Sequence, residues 1–281
     1  MTETLPQVTL PSGERVPAFG QGTWHMGEDH RRAAEEAAAL KLGIELGMTL
    51  IDTAEMYGNG RAEEIVAEAA QGERDRLFIV SKVLPYNASQ KGVVEACERS
   101  LKRLKTDRID LYLLHWRGSV PLADTLAGLA RLQRDGKIRH HGVSNFDLDD
   151  MQEWVALAGG ETVAANQILY NLTRRGPEWD LIPWCRERQI AIMAYTPLGQ
   201  GRMLQDKALA EVAARHGASP AQVALAWLLR QDGTMVIPKA TQQQHVRDNR
   251  GALEVKLTTV DLAEIDRAFP PPKRRTALGM L

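Results

Sequence analysis

Apolar residues in this chain fall in short runs separated by longer stretches of helical spacing. MTLIDT (48–53), LFIVSKV (77–83), IDLYLLH (109–115), IRHHGVSN (138–145), TVAANQI (162–168), IAIMAY (190–195) and TMVIPKA (234–240) are short and nearly continuous, so they predict buried parallel strands. Between them, apolar positions recur at helical intervals over 31–47, 61–71, 91–104, 121–135, 147–157 and 177–188, with a pair of helices within 207–230. A last helix covers 258–269, opened by Thr258 ahead of Asp261 and stopped by Pro270-Pro271-Pro272. Ahead of all of these, VTL, PSGER and VPAFG read as a hairpin.

Strand–helix alternation with short links calls for right-handed βαβ units and a parallel sheet. With residues 18–22 as the first strand the count reaches eight, and eight such units close most economically into a (β/α)8 TIM barrel, α/β in class, behind the N-terminal hairpin. An open doubly wound sheet would want GxGxxG after an early strand, and Gly20-Gln21-Gly22-Thr23-Trp24-His25 breaks that spacing at the sixth position. No linker divides residues 1–281, which are read as one barrel domain with a Pro-rich tail from about residue 270 laid over one barrel face.

Composition narrows the function. The 281 residues suit a barrel, and 44% hydrophobic with 25% charged residues suits a packed core. A formal net charge of -1 offers no broad field for nucleic acid or an anionic membrane. The two cysteines, Cys97 and Cys185, lie far apart and suggest neither a disulfide framework nor a zinc site. Metal spacing is likewise absent from the histidines: His140 and His141 alternate across a strand, while His25 and His30 sit in a loop. The opening MTETLPQVTL lacks the basic-then-apolar order of a leader, and no window approaches the roughly 18 apolar residues of a membrane span. The reading is a soluble, cytoplasmic protein with a small-molecule partner, and no nucleic acid or membrane partner.

Buried parallel strands have little use for polar residues, yet these end on Asp52, Lys82, His115, Ser144 with Asn145, Gln167 and Lys239. One polar strand end is ordinarily just the edge of a core. In a barrel, however, all these ends meet on the face that carries the active site. Lys82 interrupts FIVSKVL, where its ammonium needs a carboxylate, and Asp52 lies one strand earlier. A tyrosine with a reference pKa near 10 donates a proton poorly at neutral pH unless a cation stabilises its phenolate. Lys82 is expected to supply that cation to Tyr57 and so make it a general acid, with neutral His115 orienting a carbonyl oxygen. That is equipment for carbonyl reduction.

These motifs resemble the aldo-keto reductase superfamily: DTAEMYGNG, VSKV, LLHW, GKIRHHGVSNF and MVIPKA occur in the family's order, each on the expected strand. Within the family the chain is most similar to bacterial reductases of methylglyoxal and other small aldehydes, through GQGTWHMGED, LIPWC and PPKRRTAL. The resemblance implies an NADPH-dependent enzyme without metal and the catalytic tetrad Asp52, Tyr57, Lys82 and His115. It implies cofactor contacts by Gly22, Thr23, Trp24, Asp52, Ser144, Asn145 and Gln167, by the ring of Tyr195, and by the loop Thr196, Leu198, Gly199, Gln200 and Gly201. At the adenosine end it points to Lys239, Ala240, Thr241, His245, Asp248 and Asn249. Ala240 and His245 depart from the family's usual hydroxyl and arginine, so NADPH is expected to be preferred over NADH by a smaller margin than in arginine-bearing relatives. Trp24, Met56, Tyr57, Tyr86, His115 and Trp116 are the expected substrate walls. Two other functions fit the barrel: a non-catalytic NADPH-sensing subunit, and an aldolase using Lys82 as a Schiff-base nucleophile.

Overall fold

The computed structural model describes residues 5–281; the first four, part of the start read above as carrying no leader, lie outside the described residues. Strands β1 (Gln7–Thr9) and β2 (Arg15–Pro17) form the hairpin, pairing antiparallel with Val8 opposite Val16. The barrel strands are β3 (Gly20–Gly22), β4 (Leu50–Asp52), β5 (Phe78–Val83), β6 (Ile109–Leu114), β7 (Ile138–Ser144), β8 (Ala165–Leu169), β9 (Ala191–Tyr195) and β10 (Thr234–Val236). All are parallel and lie in chain order. The barrel closes where β10 returns to β3, through a bridge from Phe19 to Val236 and bonds from the Val236 amide to Ala18 (2.8 Å) and the Gly22 amide to Pro238 (3.1 Å).

Ten helices surround the barrel among the described residues: α1 (Ala33–Glu45), α2 (Arg61–Ala69), α3 (Gln90–Leu104), α4 (Leu122–Arg134), α5 (Leu148–Ala156), α6 (Leu181–Glu187), α7 (Lys207–Arg215), α8 (Pro220–Leu229), α9 (Gln243–Arg250) and α10 (Thr259–Ala268). Their starts are written in short polar side chains. Ser89 accepts from the Gly92 amide, and Asp147, Ser219 and Thr258 each form reciprocal capping boxes with the residue three places on. The stretch read as one helix over 177–188 is broken, because the Asp180 carboxylate takes the Leu181 amide at 2.7 Å and starts α6 there. Helix α9, with the sequence QQHVRDNR, buries only Val246 and Asn249 and so shows no apolar stripe.

Alternation along each strand separates two cores. Outward residues such as Ile51, Ile79, Tyr112, Val143, Ile168 and Ile192 pack under the helices. Inward residues Leu50, Phe78, Val80, Leu111, Leu113, Ala165, Ala191, Met193 and Met235 fill the barrel, plugged at its base by Val8, Leu10 and Val16 of the hairpin. The same parity carries Asp52, Lys82, His115, Gln167 and Tyr195 inward at the top. Tail residue Arg275 binds Asp149 and Asp180, both at 3.0 Å, and ties the tail across the starts of α5 and α6. Among the described residues no helix is long and apolar enough to cross a membrane.

Candidate active site

At the C-terminal ends of the strands lies a cavity of about 270 Å³. Gly22, Trp24, Asp52, Met56, Tyr57, His115, Trp116, Ser144, Asn145, Gln167, Tyr195, Thr196 and Lys239 border it, joined by Pro197, Ile237, Met280 and Leu281. A larger hollow of about 860 Å³ lies outside the barrel between α2 and α3, far from this chemistry. Trp24 and Trp116 are half-buried walls, as their strand-end positions imply, and Met56 is 40% exposed at the rim. Tyr86 corrects the expectation made for it: it stands 75% exposed and outside the lining, on a short turn that points it to solvent.

Lys82 is fully buried and its ammonium has three directions filled. Its Nζ lies 2.8 and 2.9 Å from the two Asp52 carboxylate oxygens, 2.8 Å from the Thr53 carbonyl and 3.2 Å from the Tyr57 hydroxyl. Burial pulls its pKa down while the Asp52 carboxylate holds it up. Asp52 is itself held by the Gln167 side-chain amide at 2.7 Å. An ammonium donating in these directions and absent from the cavity wall is badly placed as a Schiff-base nucleophile, which weighs against the aldolase reading.

Tyr57 opens a tight turn in which Gly58, Asn59 and Gly60 all take positive φ (55°, 54° and 90°) before α2 starts. A Cβ at Gly58 would come within 2.7 Å of the Met26 carbonyl oxygen, so glycine is required both by conformation and by space. The phenol departs from expectation: burial, and then the Asp52 charge, push its pKa well above the ordinary value rather than below it. Lys82 therefore does not make Tyr57 acidic at rest. Its position beside the oxygen lets it stabilise negative charge only when the proton leaves. His115 packs edge-on to Tyr57 at 5.7 Å between ring centroids. Burial, and then the Lys82 charge, push its pKa down to about 2, so the ring is neutral.

Further round the rim, Ser144 donates to the Gln167 carbonyl at 3.0 Å, and left-handed Asn145 donates to the His115 carbonyl at 3.1 Å. The Tyr195 hydroxyl donates to the Asn145 side-chain oxygen at 2.8 Å, which fixes that ring as a wall. Buried Thr23 donates to the Asp52 carbonyl at 2.9 Å. Leu198, Gly199, Gln200 and Gly201 follow in a turn beside the cavity without lining it. Ala240 and Thr241 are half-buried, His245 is exposed, Asp248 accepts from Gln244 at 2.9 Å and Asn249 is buried; all lie beyond the lining, past Lys239.

Sequence reasoning missed several contributors. Glu55 accepts from the Leu84 amide at 2.8 Å and from Asn87 at 3.0 Å, stitching the Tyr57 loop to the loop after Lys82. Its signal was a second acid inside DTAEMY. Met280 and Leu281 were read only as part of a tail over one face, although GML following a basic run is an apolar end in need of cover.

The residues at the mouth fit an anionic dinucleotide. A Cβ at Gly22 would meet the Ile237 carbonyl oxygen at 2.9 Å, so backbone alone borders that point. Among the described residues no carboxylate lies within ion-pair distance of the Lys239 ammonium, whose pKa partial burial lowers.

Residues 18–269 match the family model for the Aldo/keto reductase family. Methylglyoxal reductase YeaE of Escherichia coli (strain K12) is 52% identical over 271 residues, 95% of either chain. Glyoxal reductase of Bacillus subtilis (strain 168) is 34% identical over 267 residues, covering 94% of this chain and 93% of its own. Among solved structures, an aldo/keto reductase from Klebsiella pneumoniae in complex with NADP and acetate superposes with a TM-score of 0.96 at 46% identity, over 99% of this chain and 100% of that one. The barrel, its polar strand ends and these similarities agree: the chain belongs to the aldo/keto reductase family of oxidoreductases.

Proposed function

We propose that this protein reduces small aldehydes, methylglyoxal and related 2-oxoaldehydes among them, to alcohols, with NADPH as cofactor and Tyr57 as proton donor. The observation that carries the reading is the Tyr57 hydroxyl 3.2 Å from an ammonium that Asp52 holds in place. The names of the E. coli and B. subtilis relatives and the NADP in the Klebsiella structure support the substrate class and the cofactor.

Ser144, Asn145, Gln167 and Tyr195 would hold the nicotinamide, the turn from Thr196 to Gly201 the pyrophosphate, and Lys239 with the start of α9 the adenosine phosphate. Bound there, NADPH supplies the hydride. The protein's own residues manage the oxygen. Neutral His115 has a buried Nδ1 without a partner among the described residues; we assign its proton to Nε2, because an unpaired N–H costs more than an unpaired lone pair. That Nε2–H donates to the carbonyl oxygen and orients it. Tyr57 keeps its proton at rest and gives it up as the oxygen becomes strongly basic, and Lys82 stabilises the phenolate left behind. Trp24, Trp116 and Met56 supply an apolar wall and exclude water.

The test is cofactor oxidation against small aldehydes, 2-oxoaldehydes and ketones. Turnover of the aldehydes is expected, with a loss of at least about a hundredfold in Tyr57→Phe. Undiminished turnover in that variant would falsify the mechanism, and tight NADPH binding with no turnover of any carbonyl would favour the sensing subunit.

A further inference from the structure

Position 245 sets the problem. The sequence puts an exposed histidine where an arginine is usual for recognising the cofactor's 2′-phosphate. The fold brings a different guanidinium to that place. Arg32, in the short turn before α1, donates from Nη2 to the Thr241 hydroxyl at 3.0 Å, across 209 positions of sequence. Its Nε faces Glu35 at 3.2 Å, with both side chains close to half exposed. The remaining Nη hydrogens have no partner among the described residues. Near it stands Lys239, which has no carboxylate within ion-pair distance among the described residues; Glu36 and Glu28 act on its ammonium from further off, and the Arg32 charge opposes it. Thr241 lies just ahead of α9, where Gln242 makes no side-chain cap to the first amides. Arg32, the Thr241 hydroxyl, Lys239 and the uncapped start of α9 thus lie on one side of the cavity mouth, and among the described residues Glu35 occupies only the Nε edge of the guanidinium.

We infer that Arg32 reads the 2′-phosphate of NADPH, working with Lys239 and Thr241 and taking over the role that His245 leaves vacant. The inference rests on the NADPH reading above. A guanidinium offers phosphate two parallel donors where imidazole offers one, so the charge-assisted fork moves from α9 to the turn before α1 while the recognition is kept. The reduced NADPH margin expected from His245 alone therefore does not follow.

The test is equilibrium binding, independent of turnover. Quenching of tryptophan fluorescence by NADPH and NADH, and calorimetry with 2′,5′-ADP, which has no nicotinamide, would be compared for wild type, Arg32→Gln, Arg32→Lys and His245→Gln. Arg32→Gln is expected to weaken NADPH and 2′,5′-ADP by about 10- to 100-fold and to leave NADH within about twofold. Arg32→Lys restores part of the loss, His245→Gln changes little, and unaltered melting of Arg32→Gln shows that the fold survives. A wild type that binds NADPH no tighter than NADH overturns the cofactor reading itself. A discriminating wild type overturns only the assignment to Arg32 if its discrimination survives Arg32→Gln, if both cofactors weaken alike, or if His245→Gln carries the loss.

Discussion

Removing the Lys82 charge separates its two tasks, holding Asp52 and stabilising a phenolate. Lys82→Met keeps an unbranched side chain but leaves the buried Asp52 carboxylate with only Gln167. Breaking a buried pair in this way costs about 3–5 kcal/mol, which for a chain of this size is a fall in Tm of roughly 6–20 °C. Adding Asp52→Asn removes the stranded charge, and most of that loss should return. Activity should not return with it. At 3.2 Å and an effective dielectric constant of about 20, the ammonium is worth about 5 kcal/mol to a Tyr57 phenolate, close to four decades in rate. Melting followed by circular dichroism, together with single-turnover oxidation of NADPH by methylglyoxal, would be measured on wild type, single and double variants. Because Asp52→Asn also removes the charge that opposes the phenolate, part of that loss is offset, and the expected pattern is a stable double variant slower by about a hundredfold or more. If the double variant regains turnover within about tenfold of wild type, Lys82 is a structural cation and the proposed role for it fails.

Three further outcomes follow from the site. Because Tyr57 is held protonated by burial and the Asp52 charge, aldehyde reduction should show no alkaline loss through about pH 9, while alcohol oxidation, which needs the phenolate, should rise over that range; a one-proton fall in the reduction rate between about pH 7 and 9 contradicts this. His115 and His141 are pushed by burial to about 2 and about 4, so below their unfolded value near 6.5 the native state binds fewer protons and stability falls with pH. At pH 4.5 His115 alone accounts for about 2–3 kcal/mol of that loss, so His115→Gln should lose less than wild type between pH 7 and 4.5, measured by urea midpoints. Arg275→Ala frees the tail from Asp149 and Asp180; it should barely move Tm but change KM for methylglyoxal severalfold, and an unchanged KM would show that Met280 and Leu281 do not depend on this tie.

The barrel was legible because its strands are buried on both faces and so read as continuous apolar runs, and because eight of them alternate with helices. Asp52, Lys82 and His115 were legible for the complementary reason: each is a costly residue placed where an apolar one would serve. Helix α9 is weakly marked in the sequence because only Val246 and Asn249 among its residues are buried, leaving no periodic stripe to read. Arg32 escaped because its partner Thr241 is distant in sequence, a proximity that only barrel closure creates. The sign of the Tyr57 shift escaped for a different reason: a tyrosine–lysine pair can be inferred from spacing, but the desolvation that outweighs it requires the depth of the site.

The turn that carries Tyr57 has a consequence for how the substrate range of this barrel can change. Gly58 rests on the Met26 carbonyl, and Thr23 is bonded to the Asp52 carbonyl, so the segment bearing Trp24 and the segment bearing Tyr57 are one mechanical piece. A change that widens the Trp24 side for a bulkier aldehyde also displaces the phenol, so gains in breadth there come with losses in rate. Trp116 and the end of the tail, which also border the cavity, make no contact with Gly58 of this kind among the described residues. New specificities are therefore expected to arise at the end of the tail, since the Trp116 ring lies 4.9 Å from that of His115 and a change there reaches the group that orients the carbonyl.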